Sequence, residues 1–130
     1  MYAPLHQFKA EFFKALAHPA RIRILELLRL GELTVSELQQ RLGLEPSSVS
    51  QQLAILRHRR IVEGRKVGTN VYYRVRDPQV FTILDAAREI FEAHVQELQG
   101  LLEAQREEDE TVAALPRAAE QGRSLSPPQA

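Results

Sequence analysis

Prolines and glycines divide the first half of this chain into short segments, and each segment carries apolar residues at helical spacing. The apolar positions of residues 5–17 recur every three or four residues, which predicts a first helix. Pro19 opens a second helix, because a proline at the first helical position loses no hydrogen bond, and Gly31 ends it. Pro46 begins a further helix, to about residue 59, in the same way. Short helices therefore build the N-terminal half of the protein.

The segment between Gly31 and Gly43 contains a helix-start signal. Thr34 and Glu37 have the spacing of a capping box, in which each side chain accepts a hydrogen bond from the backbone N–H of the other residue. The pattern predicts a short third helix to about Leu42. A tight turn at Gly43 then joins the third helix to the fourth.

From residue 61 onward the apolar spacing changes from helical to strand-like. Residues 61–65 and 71–75 are β-like runs, and the intervening residues 66–70 include Gly68 and are predicted to form a turn. The pattern indicates a β-hairpin with a basic tip. Tyr72 and Tyr73 alternate along the second strand, so one of the two is expected in the core.

A long fifth helix is predicted after the hairpin. Asp77 is a favoured N-cap and Pro78 a favoured first residue, and the helical pattern continues to about residue 108. About 30 residues at ~1.5 Å each span ~45 Å, which is more than so small a domain can cover. Apolar residues recur every seven positions, as in a helix that pairs with a copy of itself, so a homodimer is predicted. The positions at this seam are Leu84, Ala87, Phe91, His94, Leu98 and Leu101.

Length and composition are typical of a small cytoplasmic globular protein. One domain is predicted over residues 1–108, followed by a Pro-, Ala- and Ser-rich tail over residues 109–130 that is expected to be disordered. No apolar run is long enough to cross a membrane, and the N-terminus lacks the pattern of a signal peptide. Because the chain has no cysteine, disulfides, thiolate metal sites and thiol redox chemistry are excluded.

The formal charge of the chain is zero, but the charge is unevenly distributed. Residues 1–78 contain 13 basic and 7 acidic residues, whereas residues 79–130 contain 4 basic and 10 acidic residues. Seven of the basic residues lie within residues 57–76, where Glu63 is the one acid. Such a segment is either a solvated basic face or an electrostatic footprint for the phosphates of a nucleic acid.

Two short helices joined by a tight turn and followed by a basic hairpin have the layout of a winged helix-turn-helix. We therefore predict a mainly α fold with a small β-hairpin, in the order α-α-α-α-β-β-α, and double-stranded DNA as the partner. The fourth helix would lie in the major groove, where serine and glutamine side chains suit base edges. The expected base-reading residues are Ser47, Ser48, Ser50, Gln51 and Gln52. Phosphate contacts are expected from Arg57, His58 and Arg60, and contacts of the hairpin with the backbone or minor groove from Arg65, Lys66, Thr69 and Asn70.

These assignments have alternatives. The alternatives are helix capping for Ser47 and Ser48, and ordinary surface exposure for Gln51 and Gln52. Arg59 could pair with Glu63 rather than with phosphate. The chain has no nucleophile–base constellation, phosphate-binding loop or paired metal motif, so an enzyme is not expected. The alternative to DNA binding is a protein-interaction module, but the basic hairpin favours DNA.

Two segments resemble the ArsR/SmtB family of repressors. Residues 13–25, FKALAHPARIRIL, resemble the opening of the family, and residues 47–57, SSVSQQLAILR, resemble its recognition helix, although the family more often has His in place of Gln52. The resemblance extends from about residue 8 to residue 98. It implies a dimer built from the first and last helices, which adds Phe8 and Phe12 to the interface. It also implies a repressor that binds an imperfect palindrome and is released by an inducer, which the residues do not identify.

The resemblance also sets an expectation for metal sensing. Many members of the family use a Cys-x-Cys pair at the start of the third helix, where this chain has residues 34–36, Thr-Val-Ser, so a soft-metal site is not expected there. A second family site on the last helix uses Asp-x-His and His-x-x-Glu. Here Asp85 is followed by Ala87 in place of the first His, and His94 and Glu97 lie one turn apart. His94 is interpreted as a structural seam residue, with a zinc or nickel site or a pH-responsive pair as alternatives, and no resident cofactor is predicted.

Overall fold

The computed structural model describes residues 3–115, which form helices and short strands. The order is α1 (Pro4–Leu16), α2 (Pro19–Leu27), β1 (Leu33–Thr34), α3 (Val35–Leu42), α4 (Pro46–His58), β2 (Val62–Val67), β3 (Asn70–Val75) and α5 (Gln79–Ala114). A 3₁₀ turn, Leu28–Leu30, follows α2. The chain divides into two compact units, one through Asp85 and the other from Ala86 onward. The winged helix-turn-helix is confirmed: α3 and α4 form the helix-turn-helix, and the β2–β3 hairpin, hereafter the wing, follows it.

The starts of α2 and α3 are determined by local side-chain hydrogen bonds. His18 precedes the proline of α2, and its Nδ1 accepts from the N–H of Ala20 at 3.1 Å. The predicted capping box is present at α3: the N–H of Glu37 donates to Thr34 Oγ1 at 3.1 Å, and the N–H of Thr34 donates to Glu37 Oε1 at 3.1 Å. Gly43 ends α3 with a left-handed φ of 68°. The helix-turn-helix is thus delimited by interactions that the sequence specifies locally.

The end of α4 has an unusual residue at a position that favours glycine. Arg60 has φ 59°, and its N–H donates to the carbonyl of Arg57 at 2.9 Å, while the N–H of Ile61 donates to the carbonyl of Leu56 at 2.9 Å. These two bonds form a Schellman motif, which satisfies carbonyls at the end of the helix. Ile61 and Leu56 are both buried, which adds the hydrophobic contact typical of this motif. Arg60 therefore adopts a left-handed conformation that costs free energy for an L residue.

The strands of the wing extend closer to its turn than predicted, and the wing belongs to a three-stranded antiparallel sheet. The strand order is β1-β3-β2, and Lys66 and Asn70 lie within strands rather than in the turn, which is reduced to Gly68 and Thr69. The predicted element order therefore lacked β1. This strand consists of two residues, Leu33 paired with Tyr73 and Thr34 with Tyr72, so it exists only because β3 lies beside it.

Gly64 of β2 allows close packing within the wing. It lies opposite Tyr73 of β3, and a Cβ atom at this position would lie 2.8 Å from Val71 Cγ1 and 3.3 Å from Tyr73 Cε1. Tyr73 packs against the core, whereas Tyr72 faces Arg65 on the other side of the sheet. The expectation that one of the two tyrosines belongs to the core is thus confirmed for Tyr73.

The core of the first unit is built from one apolar stripe of each helix together with the start of β2. α2 contributes Ile24 and Leu25, α3 contributes Leu38, and α4 contributes a stripe opposite its exposed face. The fully buried members of the stripe on α4 are Val49, Leu53 and Leu56. Because this stripe is completely buried, it determines which residues of α4 face solvent.

Helix α5 extends beyond its predicted end. It begins at Gln79, one residue after the predicted start, and continues to Ala114 rather than ending near residue 108. Interactions between residues four apart support the additional turns: Gln105 Nε2 donates to Asp109 Oδ1 at 3.0 Å, and Thr111 Oγ1 donates to the carbonyl of Glu107 at 2.9 Å. A polar segment can therefore remain helical without a core to pack against. The rest of the predicted tail, from residue 116, lies outside the described residues.

Candidate nucleic-acid interface

The outward face of α4 is polar and accessible. Successive residues of a helix are about 100° apart, so the side opposite the buried stripe carries Ser47, Gln51, Ala54 and His58. These four residues are exposed, as is Ser50 on one flank, whereas Ser48 is half-buried. Within the described chain, neither the Ser47 nor the Ser48 hydroxyl makes a hydrogen bond, so helix capping by these serines is not observed. Its hydroxyl and amide groups are of the kind that form hydrogen bonds with base edges.

Gln52 is placed differently from the other residues of the predicted reading set. It is half-buried on the flank of α4 that faces α1 and α2. Its Oε1 accepts a hydrogen bond from Nη1 of Arg21 at 2.8 Å. Its neighbour Gln51, by contrast, is exposed. The structure therefore separates two glutamines that were predicted to act alike.

Three cations of the α4 end and the wing make no salt bridge within the part of the chain that the structure describes. They are Arg57 in the last turn of α4, Arg60 immediately after it and Lys66 in β2. All three side chains are exposed, and so is His58. Because no carboxylate neutralises them, these cations are available to phosphate groups.

Arg65, the other basic residue of the wing, is engaged by the protein itself. Its Nη2 lies 2.6 Å from Oε2 of Glu32, and its guanidinium lies 5.8 Å from the centroid of the Tyr72 ring. The hydrogen bond from Arg65 lowers the pKa of Glu32, and the same bond raises the pKa of Arg65. Thr69 lies exposed in the turn of the wing and Asn70 at the start of β3. In the described chain, Lys66 of the wing therefore makes no salt bridge, whereas Arg65 is paired with Glu32.

The predicted alternative of an Arg59–Glu63 pair is wrong. Arg59 Nη2 lies 2.6 Å from Oε2 of Glu11 on α1, while Glu63 pairs with Arg74, its cross-strand partner, at 2.5 Å. Glu63 and Arg74 face each other in the register of β2 and β3, so Glu63 is already occupied. The register of the hairpin therefore decides which arginine Glu63 contacts.

Sequence reasoning missed two residues of this region, Arg21 and Glu32. Arg21 contacts Gln52, which is 31 positions away, and Glu32 contacts Arg65, which is 33 positions away. No local spacing pattern predicts either contact. Only the packing of α2 beside α4 and of the β1 segment beside the wing brings these pairs together.

The residues predicted at a dimer interface fall into two groups. Phe12 and Leu84 are half-buried against the core of the first unit, so their contacts lie partly within the chain. The remaining residues are exposed, namely Phe8 on α1 and Ala87, Phe91, His94, Leu98 and Leu101 on α5. About two thirds of the surface of Phe8 (64%), Phe91 (65%) and Leu101 (67%) is accessible. Exposed apolar residues at this density are typical of association surfaces.

The candidate metal ligands of α5, His94 and Glu97, lie on the surface of the single chain. His94 and Glu97 are both exposed, and among the described residues no group of three or more His, Asp or Glu side chains lies together as a metal site would need. Asp85 accepts two hydrogen bonds from the guanidinium of Arg29, at 2.6 and 2.5 Å, and this guanidinium lies 5.3 Å from the ring centroid of Phe81. Asp85 therefore joins the start of α5 to the 3₁₀ turn that follows α2 through an ion pair.

Sequence comparison with known proteins identifies the same type of fold. A family model described as bacterial regulatory protein, arsR family, matches residues 18–63. The chain is 48% identical over 88 residues to Rv0081, an uncharacterized HTH-type transcriptional regulator of Mycobacterium tuberculosis, with 67% of this chain and 77% of the relative covered. It is 44% identical over 91 residues to the transcriptional repressor SmtB homolog of Synechocystis, with 70% of this chain and 66% of that protein covered.

Solved structures agree with these sequence matches. The crystal structure of Rv0081 superimposes with a TM-score of 0.67 at 43% identity, covering 74% of this chain and 97% of that one. The solution structure of the homodimeric winged helix-turn-helix DNA-binding domain Mb0332 from Mycobacterium bovis, a possible ArsR-family regulator, gives a TM-score of 0.65 at 30% identity. That match covers 72% of this chain and 86% of that one.

The helix-turn-helix, the wing and the polar face of α4 define a winged-helix DNA-binding transcription regulator. With these sequence and structural matches, the chain belongs to the ArsR family of bacterial regulatory proteins. The comparisons indicate no enzyme family. In the described part of the chain, no helix is long and apolar enough to span a membrane.

Proposed function

We propose that this protein is a cytoplasmic transcriptional repressor that binds an imperfectly palindromic operator as a homodimer and performs no catalysis. The observation that carries the proposal is the exposed polar face of α4, together with cations that make no salt bridge in the described chain: Arg57 and Arg60 at the end of α4, and Lys66 in the wing. In this arrangement α4 reads bases with Ser47 and Gln51, while the cations hold the phosphates. The name of the SmtB homolog, a transcriptional repressor, supports repression as the outcome.

The homodimer is supported by the exposed apolar residues of α1 and of α5. Phe8 on α1 and Phe91, Leu98 and Leu101 on α5 leave apolar surface accessible that a second copy would bury. The homodimeric state of the Mycobacterium bovis domain supports the same assembly. Two copies of α4 would then enter successive major grooves, so the half-sites should be one DNA turn, ~34 Å, or a multiple of it apart.

A salt titration tests the proposal. Three unpaired cations in each protomer give about six phosphate contacts in a dimer, which corresponds to a slope of about −5 in a plot of log affinity against log salt concentration. The affinity for the DNA upstream of its own gene should therefore fall about 10³-fold between roughly 50 and 200 mM salt. Fluorescence anisotropy with a labelled duplex measures this. Absent or salt-insensitive binding would refute DNA binding and favour a protein partner for α4.

Two substitutions separate base reading from phosphate contact. Gln51→Ala should weaken operator binding by about tenfold while leaving non-operator binding unchanged, because it removes a base contact. Lys66→Ala should weaken binding to both duplexes alike and make the salt slope shallower by about one for each protomer. Operator and non-operator affinities measured for both variants check these roles. Equal losses of specificity in the two variants would contradict them.

A further inference from the structure

The guanidinium of Arg21 connects three helices, α1, α2 and the recognition helix α4. Arg21 lies in the first turn of α2, and its Nε donates to the carbonyl of Ala15 at 2.6 Å, while its Nη1 donates to Gln52 Oε1 at 2.8 Å. Ala15 is buried in the last turn of α1. The carbonyls of a last helical turn lack intrahelical partners and carry partial negative charge, so a cation there is stabilising. Arg21 therefore caps α1 and holds α4 at the same time.

This contact determines how the Gln52 amide is oriented. To read adenine, a glutamine must direct its amide oxygen and nitrogen to the same base edge. The oxygen of Gln52 is directed to Arg21 instead, and the residue is half-buried on the flank of α4, about 100° around the helix from the exposed Gln51. The Gln52 side chain is thus bonded within the protein, whereas the Gln51 side chain is exposed to solvent.

Polar links join the flank of α4 to its neighbours beside a groove that is open to solvent. The groove, of about 160 Å³, is lined by α1 residues Glu11 and Ala15, by Arg21, and by Ile55 and Arg59 at the end of α4. Side chains make fewer van der Waals contacts across such a groove than in the closed core. The Arg21–Gln52 bond and the more exposed Glu11–Arg59 pair connect α4 to α2 and α1 on this side. These links act in addition to the packing of the buried stripe of α4.

We infer that Arg21 and Gln52 form a positioning pair that sets the orientation of α4, and that Gln52 does not read bases. The inference rests on the proposed DNA-binding function and adds Arg21 as a residue that determines specificity without touching DNA. If the pair is lost, the flank of α4 loses its link to α2, α4 changes its tilt, and Ser47 and Gln51 no longer meet the base edges. Contacts of flexible cations with phosphate tolerate such a shift, so non-operator binding persists.

The substitution Gln52→Glu, with Gln51→Glu as the matched control, tests the placement of Gln52. A glutamate at position 52 still accepts from Arg21, now in a charge-assisted bond, so operator affinity should stay within about threefold of the wild type. A glutamate at position 51 faces DNA and should lower operator affinity by about tenfold or more through repulsion from phosphates. An equal loss in the two variants would overturn the inference.

The substitution Arg21→Ala tests the effect on specificity. Operator affinity should fall about tenfold, the order of one lost base contact, while non-operator affinity and the salt slope stay unchanged. A shallower slope together with weaker non-operator binding would make Arg21 a phosphate contact and overturn the inference. If Arg21→Ala does not fold, Gln52→Glu against Gln51→Glu decides the question.

Thermal unfolding tests the pair without DNA. The double variant Arg21→Ala/Gln52→Ala should lose no more Tm than Arg21→Ala alone, because the second substitution removes a bond that is already broken. Additive losses of Tm would show that the two residues are not coupled and would overturn the inference. Absence of operator binding by the wild type would instead refute the proposed function, and the unfolding result would still decide whether the pair exists.

Discussion

We predict that Glu32→Gln makes DNA binding tighter and more salt-dependent, because it would free Arg65 of the wing for a phosphate contact. Glu32 lies 2.6 Å from Arg65 through Oε2 and is itself largely covered, with 27% of its side chain exposed against 62% for Arg65. Glu32→Gln keeps the size of the side chain and removes its charge. Each phosphate contact contributes about 0.9 to the salt slope, so one freed arginine in each protomer should steepen the slope of a dimer by about 1.8.

The expected change is large enough to measure. A slope that steepens from about −5 to about −7 means that, between roughly 50 and 200 mM salt, the variant loses about tenfold more affinity than the wild type. Anisotropy titrations at four salt concentrations give the slope directly. Glu63→Gln is the matched control, because it frees Arg74, which is not among the expected DNA contacts, and so should leave the slope unchanged.

The effect should not depend on pH near neutrality. The pKa of Glu32 is held below its usual range by the hydrogen bond from Arg65. A carboxylate with a lowered folded-state pKa stabilises the fold above its unfolded pKa, and this contribution is lost only as the pH falls through the folded value. The pair therefore persists through the neutral range, and the difference between wild type and Glu32→Gln should be equal at about pH 6 and pH 8. An unchanged or shallower slope would refute the reasoning, since Glu32 would then be holding Arg65 in position for DNA.

Two further substitutions test the backbone of α4 and the packing of the wing. Arg60→Gly should raise the free energy of unfolding by about 0.5–1 kcal/mol. A left-handed conformation costs an L residue roughly 1–2 kcal/mol, which glycine avoids. Glycine loses more backbone entropy on folding, however, and this offsets part of the gain. Denaturant titration measures this gain, and a destabilised variant would contradict the strain at Arg60. Gly64→Ala should destabilise the fold by about 1–3 kcal/mol, because the new methyl group meets Val71 and Tyr73. Thermal unfolding should show a Tm lower by ~4–8 °C for each kcal/mol, and an unchanged Tm would show that the wing relaxes without cost.

Much of the exposed face of α4 could be predicted because it depends on the period of one helix. Val49, Leu53 and Leu56 follow the helical repeat, so their burial leaves Ser47 and Gln51 on the opposite side. The same periodicity could not distinguish Gln52 from Gln51, because the difference between them is a hydrogen bond to another helix. Prediction was therefore reliable for the side of α4 that faces solvent and unreliable at its flank.

The boundaries of helices and strands were likewise predicted where they depend on neighbouring residues and missed where they depend on distant ones. The capping box of Thr34 and Glu37 was correct because both bonds form within four residues. The strand Leu33–Thr34 was missed because two residues carry no strand pattern, and the pairing comes from β3, about 40 positions later in the chain. The extension of α5 to Ala114 was missed because a polar helix leaves no apolar stripe by which to recognise it.

By itself, then, the sequence determined the helix starts, the buried stripes, the hairpin and the polar face of the recognition helix, since each depends on residues within one or two turns of one another. Tertiary structure decided which charges remain available. Arg59 and Arg65 are engaged by Glu11 and Glu32, while Arg57 and Lys66 remain without a salt bridge in the described chain. A charged side chain finds its partner in space, across tens of residues of sequence, so its availability to DNA emerges only when the helices and the wing have packed.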